Sequence, residues 1–100
     1  MYSMEDLLEL TSNERADSLE IDPGKPPVLV VGGEQNAIEG PPLSAEDTDL
    51  LLRTIANSRQ MRELHERRFI RFMYTLRPRS SFLVHARLED EQIKFEIRQS

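Results

Sequence analysis

The final third of the chain constrains the fold most. Three runs alternate apolar and polar residues with a period of two: Ile70, Phe72, Tyr74 and Leu76; then Phe82, Val84, Ala86 and Leu88; then Ile93, Phe95 and Ile97. Successive side chains of an extended strand point to opposite faces, so each run has one apolar face and one polar face. The joints between them are short and polar, Arg77-Pro78-Arg79-Ser80-Ser81 and Glu89-Asp90-Glu91. Joints this short make neighbouring strands antiparallel. The runs therefore predict a meander whose apolar face needs a cover.

The preceding residues supply helices to cover it, and further strands. Ser3 is placed to cap a helix, with Asp6 three residues on and Tyr2 and Leu7 at the positions of a hydrophobic staple. Met4, Leu7 and Leu8 form its apolar stripe, and it should fade near Asn13. Ser18 to Ile21 reads as a short strand, Asp22-Pro23-Gly24-Lys25-Pro26 as a turn, and Val28 to Val31 as a buried strand. Gly32-Gly33 predicts a hairpin into a strand near Glu34 to Ile38, closed by Gly40-Pro41-Pro42. Ser44 opens the clearest helix. Glu46, Asp47 and Asp49 suit its positive N-terminus, and Leu51, Leu52 and Ile55 face inward. Ser58 reads as the cap of another helix from Arg59 to about Arg67, with Met61 and Leu64 inward. The expected architecture is a single α+β domain over residues 1–100. Its order is α-β-β-β-α-α-β-β-β, with two to three helices on an antiparallel sheet of five to six strands.

A chain of 100 residues supports one modest core. There is no cysteine, which excludes disulfides, thiolate metal sites and a cysteine nucleophile. No apolar run approaches the roughly 20 residues that span a bilayer. The N-terminus, Met-Tyr-Ser-Met-Glu-Asp, lacks a basic-then-apolar leader pattern, so a cytoplasmic location is expected. Net charge is −5, but residues 1–52 carry two bases against twelve acids and residues 53–100 carry eleven bases against six. Either the halves stay apart and give the surface a dipole, or they intermix and the charges pair or face water.

Catalytic patterns are missing. His65 and His85 are 20 residues apart in no ligand spacing. The serines form no Gly-x-Ser-x-Gly elbow, and the acids at 46, 47 and 49 are explained by helix capping. Gly32-Gly33 is a turn and not a phosphate loop. The expectation is a protein that is not an enzyme and has no cofactor or metal. The most suggestive feature is arginine: Arg59, Arg62, Arg67, Arg68, Arg71, Arg77 and Arg79 fall within 21 residues, offset only by Glu63 and Glu66. These form a solvated face, a grip on an acidic protein, or a phosphate-binding patch. Overall acidity argues against nucleic acid. So does the expectation that Phe69, Phe72 and Tyr74 are sheet residues and not exposed aromatics among the arginines. The residues expected to contact a protein partner are Arg67, Arg68, Arg71, Arg77 and Arg79, followed by His85, Arg87, Lys94 and Glu96 on the polar face of the meander.

Three segments resemble the N-terminal, PAS-like domain of PilT/GspE-type ATPases of pilus retraction and secretion. They are Arg15-Ala16-Asp17-Ser18-Leu19-Glu20-Ile21, Gly24-Lys25-Pro26-Pro27-Val28-Leu29-Val30-Val31-Gly32-Gly33-Glu34, and Gly40-Pro41-Pro42-Leu43-Ser44-Ala45-Glu46-Asp47-Thr48. Phe82 to His85 would match a late strand of that domain. The resemblance covers roughly residues 4 to 98, and its middle segment is the most specific. It implies a domain that packs against neighbouring subunits in a ring of motors. Several polar positions depart from the family pattern. Glu20 stands where the family has His, Asp17-Ser18 reverses its Ser-Asp, Val30 replaces a strand Arg, Ser81 and Leu83 replace two more, and Arg71 replaces an acid. No Gly-x-x-x-x-Gly-Lys-Ser/Thr loop occurs in the sequence, so nothing cradles and splits a nucleotide. The expected role is an accessory module with the fold kept and the motor role lost, docking on a pilus or secretion ATPase or on its own kind. The alternatives are a small acidic secretion chaperone or adaptor and, behind it, a nucleic-acid binder through the arginines.

Overall fold

A computed structural model describes residues 2–77 and 80–99. The chain runs α1 (Met4–Asn13), β1 (Ser18–Ile21), β2 (Val28–Val31), β3 (Glu34–Ala37), α2 (Ala45–Arg53), α3 (Ser58–Arg67), β4 (Phe69–Arg77), β5 (Ser80–Glu89) and β6 (Gln92–Gln99). The order α-β-β-β-α-α-β-β-β and the α+β class are those the sequence implies.

Local chemistry sets the helix ends. Ser44 accepts from the Asp47 N–H at 3.0 Å while the Asp47 carboxylate accepts from the Ser44 N–H at 2.8 Å, a complete capping box. The cap of α3 is Asn57 and not Ser58. Its side chain accepts from the Gln60 N–H at 2.8 Å, and its own N–H donates to Gln60 Oε1 at 2.9 Å. Asn57 wins because Gln60 lies three residues on and can complete the reciprocal pair. Ser3 caps α1 with only the forward bond, from the Asp6 N–H at 3.4 Å.

The six strands form one antiparallel sheet in the order β3-β2-β1-β6-β5-β4. The last strand thus inserts between β1 and β5 and joins the two hairpin systems. Leu19 lies opposite Ile97 and Ile21 opposite Phe95. Ile97 in turn faces Val84, and Phe95 faces Ala86. These inner-face residues are buried at the centre of the core, and Leu19, Ile21, Val84 and Ile97 are completely enclosed. The helices close this face: α1 packs near β1, α2 over β6 and α3 over β4 and β5. Leu8, Leu52 and Leu64, one from each helix, are also fully buried. Burying a leucine side chain contributes roughly 1.5–3 kcal/mol, so these contacts hold the two layers together.

The hairpin joints follow from backbone sterics. Gly32 and Gly33 both have positive φ, 59° and 83°, as a two-residue turn between antiparallel strands demands. The Asp17 carboxylate accepts from the Gly33 N–H at 2.9 Å and tethers that turn to the start of β1. The β5–β6 joint has the same geometry without glycine: Asp90 and Glu91 sit at φ 51° and 60°. Among the described residues, no helix is long and apolar enough to cross a membrane.

Candidate partner interface

The period of two that fills the core also builds the opposite face. In β4, Ile70 is buried and Phe72, Tyr74 and Leu76 pack against the core. Phe69, Arg71, Met73 and Thr75 alternate with them and are exposed. The same alternation turns His85 and Arg87 outward on β5, and Lys94 and Glu96 on β6. Strand register then aligns them in rows across the sheet. One row runs Arg71, His85, Glu96, Glu20, and the next runs Phe69, Arg87, Lys94.

These rows line a shallow depression of about 590 Å³, with Asp22 at its rim. Phe69 forms part of the wall and is 56% exposed. The guanidinium of Arg67 lies 5.9 Å from the centre of its ring, within the range in which a cation is attracted to an aromatic face. Arg67 also pairs with Glu63 at 3.2 Å. Arg68 is the left-handed C-cap of α3, with φ 73°, and pairs with Glu91 at 3.3 Å. Glu89 serves two cations, Arg87 at 3.5 Å and Lys94 at 3.4 Å. Glu96 accepts from Arg98 Nε at 2.6 Å. That hydrogen bond, with the carboxylate charge, raises the Arg98 guanidinium above its ordinary value. No ion pair is found for Arg71 among the described residues.

The arginines that are clustered in sequence are thus divided in space. Arg71 and Arg87 share the depression, and Arg67 and Arg68 stand at its corner, where α3 turns into β4. Arg59 and Arg62 are exposed on α3, in the helical layer. Arg77 closes β4, and its side chain, like Arg79, lies outside the described residues. His85 is exposed between Arg71 and Glu96. His65 is exposed on α3, its Nδ1 2.9 Å from the Met61 carbonyl. The expectation that Phe69 is not an exposed aromatic is corrected: it belongs to a strand, but on the outer face beside the arginines. Parity carries the signal, since Phe69 shares the odd numbering of Arg71 while Ile70, Phe72 and Tyr74 share the even.

Ion pairing among the described residues stays mostly within each half of the chain. Among the described residues, the basic half pairs with its own acids: Arg67–Glu63, Arg68–Glu91, Arg87–Glu89, Lys94–Glu89 and Arg98–Glu96. Only Arg53–Asp49, within one helix, crosses the division. The sheet order keeps β1, β2 and β3 on one side and β4, β5 and β6 on the other.

A second concavity, of about 600 Å³, lies on the helical side between α1, α2 and the far end of β4. Its walls are mainly apolar, including Met4, Leu8, Leu51, Ile55 and Leu76, with Leu50 48% exposed at its mouth. No group of three or more potential metal ligands occurs among the described residues.

Neither a protein-family model nor a curated protein matches the sequence. Solved structures do match the fold. The pilus retraction motor PilT, solved with bound ADP, superposes with a TM-score of 0.87 at 17% identity, over 98% of this chain and 29% of that one. The ATPase DotB of Legionella pneumophila gives 0.79 at 25% identity, over 96% and 28%. DotB of Yersinia pseudotuberculosis gives 0.71 at 14%, over 99% and 32%. The chain therefore spans about three-tenths of the length of these ATPases, and its fold is that of the N-terminal domain of pilus-retraction and secretion motors.

Proposed function

We propose that this domain is a non-catalytic docking module of the pilus-retraction and secretion systems. It binds an acidic surface of a motor subunit through the outer face of β4, β5 and β6, in the cytoplasm. The observation that carries this reading is the exposed Phe69 set among Arg67, Arg71, Arg87 and Lys94. An aromatic anchor ringed by arginine is the composition of a protein-binding hot spot. Glu20, Asp22 and Glu96 lie in the same depression. They disfavour a polyphosphate backbone and suit a protein surface of mixed charge.

The test is binding of the full chain to a purified pilus-retraction ATPase, measured by titration calorimetry. Reversing two charges, Arg71→Glu with Arg87→Glu, should weaken binding by about a hundredfold or more, as like charges are juxtaposed. Unchanged affinity, or no binding by the parent chain, would sink the proposal. The apolar cleft around Leu50 favours a second reading, a secretion chaperone or adaptor that holds an apolar segment of its client. In that case Leu50→Asp, and not the double charge reversal, would abolish binding.

A further inference from the structure

The helical layer stops short of one corner of the sheet. α3 packs on β4 and β5, and Ile70, near the start of β4, is buried. Toward the far end of that strand, the inner-face residues Tyr74 and Leu76 are only half-buried. α1 and α2 rest on the sheet with few contacts between them. The cleft of about 600 Å³ between these two helices and the end of β4 is therefore apolar sheet face and helix flank without a cover. Leu50 stands at its mouth and is 48% exposed. One end of the cleft is fixed in advance. The Tyr2 hydroxyl donates to the Pro41 carbonyl, and its ring crosses Gly40, where any side chain would collide with it.

The charges around the cleft specify its occupant. Glu5 and Asp47 are the charged residues of the lining, and both are acids. Asp6 and Glu46 add negative charge in the same first turns of α1 and α2. The two helices contain one base, Arg53, and Asp49 holds it at 3.1 Å. No ion pair is found for Glu5 or Glu46 among the described residues. An anionic segment is repelled from this rim, and a cationic one is drawn to it. The gap lies in a layer of helices, and an amphipathic helix has the shape and the apolar stripe to complete that layer. We propose that the cleft receives an amphipathic helix of a protein partner, its apolar stripe flanked by lysine or arginine. The chain's own basic helix is not available for this, since Met61 and Leu64 of α3 are buried in its own core. The inference gives the client of the second reading above a charge and a shape. It rests on that reading for the use of the cleft and on nothing in the outer face of the sheet.

The chain has two tyrosines and no tryptophan, and both tyrosines, Tyr2 and Tyr74, line the cleft. Tyrosine emission therefore reports occupation of this site. The probes are three synthetic peptides of about 14 residues, roughly four helical turns, without aromatic residues. One carries leucine at i, i+3, i+4 and i+7 with lysine elsewhere. The second has glutamate in place of each lysine. The third keeps the composition of the first but scatters its leucines round the helix. In low salt the lysine helix should change the tyrosine emission to saturation and bind about a hundredfold more tightly than the glutamate helix. The scattered peptide should leave the emission unchanged. Glu5→Lys should weaken binding of the lysine helix about tenfold, an effect that shrinks in 1 M salt as the screening length falls to about 3 Å. Leu50→Ser should weaken it about tenfold at either salt concentration. Both positions are exposed, and far-ultraviolet dichroism should show that both variants fold. Equal binding of the lysine and glutamate helices overturns the inference while leaving the second reading an apolar client of another kind. An equal response to the scattered peptide overturns it as surface attraction without a site. If no helix changes the emission, the inference and the second reading fall together.

Discussion

The two faces of β4, β5 and β6 are made by the same residues taken alternately, yet they have opposite characters. Inward, Phe82, Val84, Ile93, Phe95 and Ile97 are buried beneath the helices. Outward, His85 meets solvent, Arg87 and Lys94 pair with Glu89, and Glu96 pairs with Arg98. The inner face is held by close packing, where removing a few methylenes leaves a void. The outer face is held by exposed ion pairs that contribute little. Packing and solvent exposure thus fall to alternate positions of single strands. The departures from the ATPase pattern at Glu20, Arg71, Ser81 and Leu83 all fall outside the group of buried core residues.

The strongest way to break this comparison is to mutate adjacent residues of β5. Phe82 is completely buried, so Phe82→Ala should cost about 3–5 kcal/mol in urea unfolding. Leu83, its half-buried neighbour on the outer face, should cost less than about 1 kcal/mol as Leu83→Ala. Equal losses would mean that the outer face carries as much packing as the inner one. The contrast between the faces would then be wrong.

Much of this was legible because it is local. Alternation in residues 70 to 97 gives strands, faces and hairpins without knowledge of the sheet order. The capping residues Ser3 and Ser44 mark helix starts within one residue. The shift from Ser58 to Asn57 shows the limit of reading one cap residue alone, since Gln60 decides the contest from three positions away. Two things were not legible. One is the insertion of β6 between β1 and β5, because that pairing joins residues some 75 apart in sequence and no local signal specifies it. The other is the separation of Arg59 and Arg62 from Arg71 and Arg87, which depends on the direction in which the chain leaves α3. Arg68 sets that direction through its left-handed cap.

The joint that keeps β5 and β6 in register offers a smaller and opposite effect. Its two central residues, Asp90 and Glu91, both have positive φ. Aspartate tolerates that region, whereas for other residues with a Cβ it costs roughly 1–2 kcal/mol. Glu91→Gly should remove that strain while giving up the exposed Arg68–Glu91 pair, 3.3 Å apart. Such a pair contributes about 0–1 kcal/mol. The variant should therefore be more stable by roughly 0.5–1 kcal/mol, with an unchanged denaturant slope. A destabilised variant would show that Glu91 does more for the turn than its backbone geometry implies.

The smallest expected effect tests the outer face itself. Glu89 accepts ion pairs from both Arg87 and Lys94, so it is the residue most able to make that face contribute to stability. All three side chains are more than a third exposed, and solvent screens each interaction strongly. Glu89→Gln should thus lower stability by no more than about 0.5 kcal/mol in low salt and by nothing measurable in 1 M salt, where the screening length falls to about 3 Å. The same substitution leaves Arg87 and Lys94 without their local anion, so the face becomes more cationic. Binding of an acidic protein should then strengthen while folding barely changes. A loss of folding stability that persists in high salt would place Glu89 in the structural framework and remove the division of labour between the faces at this position.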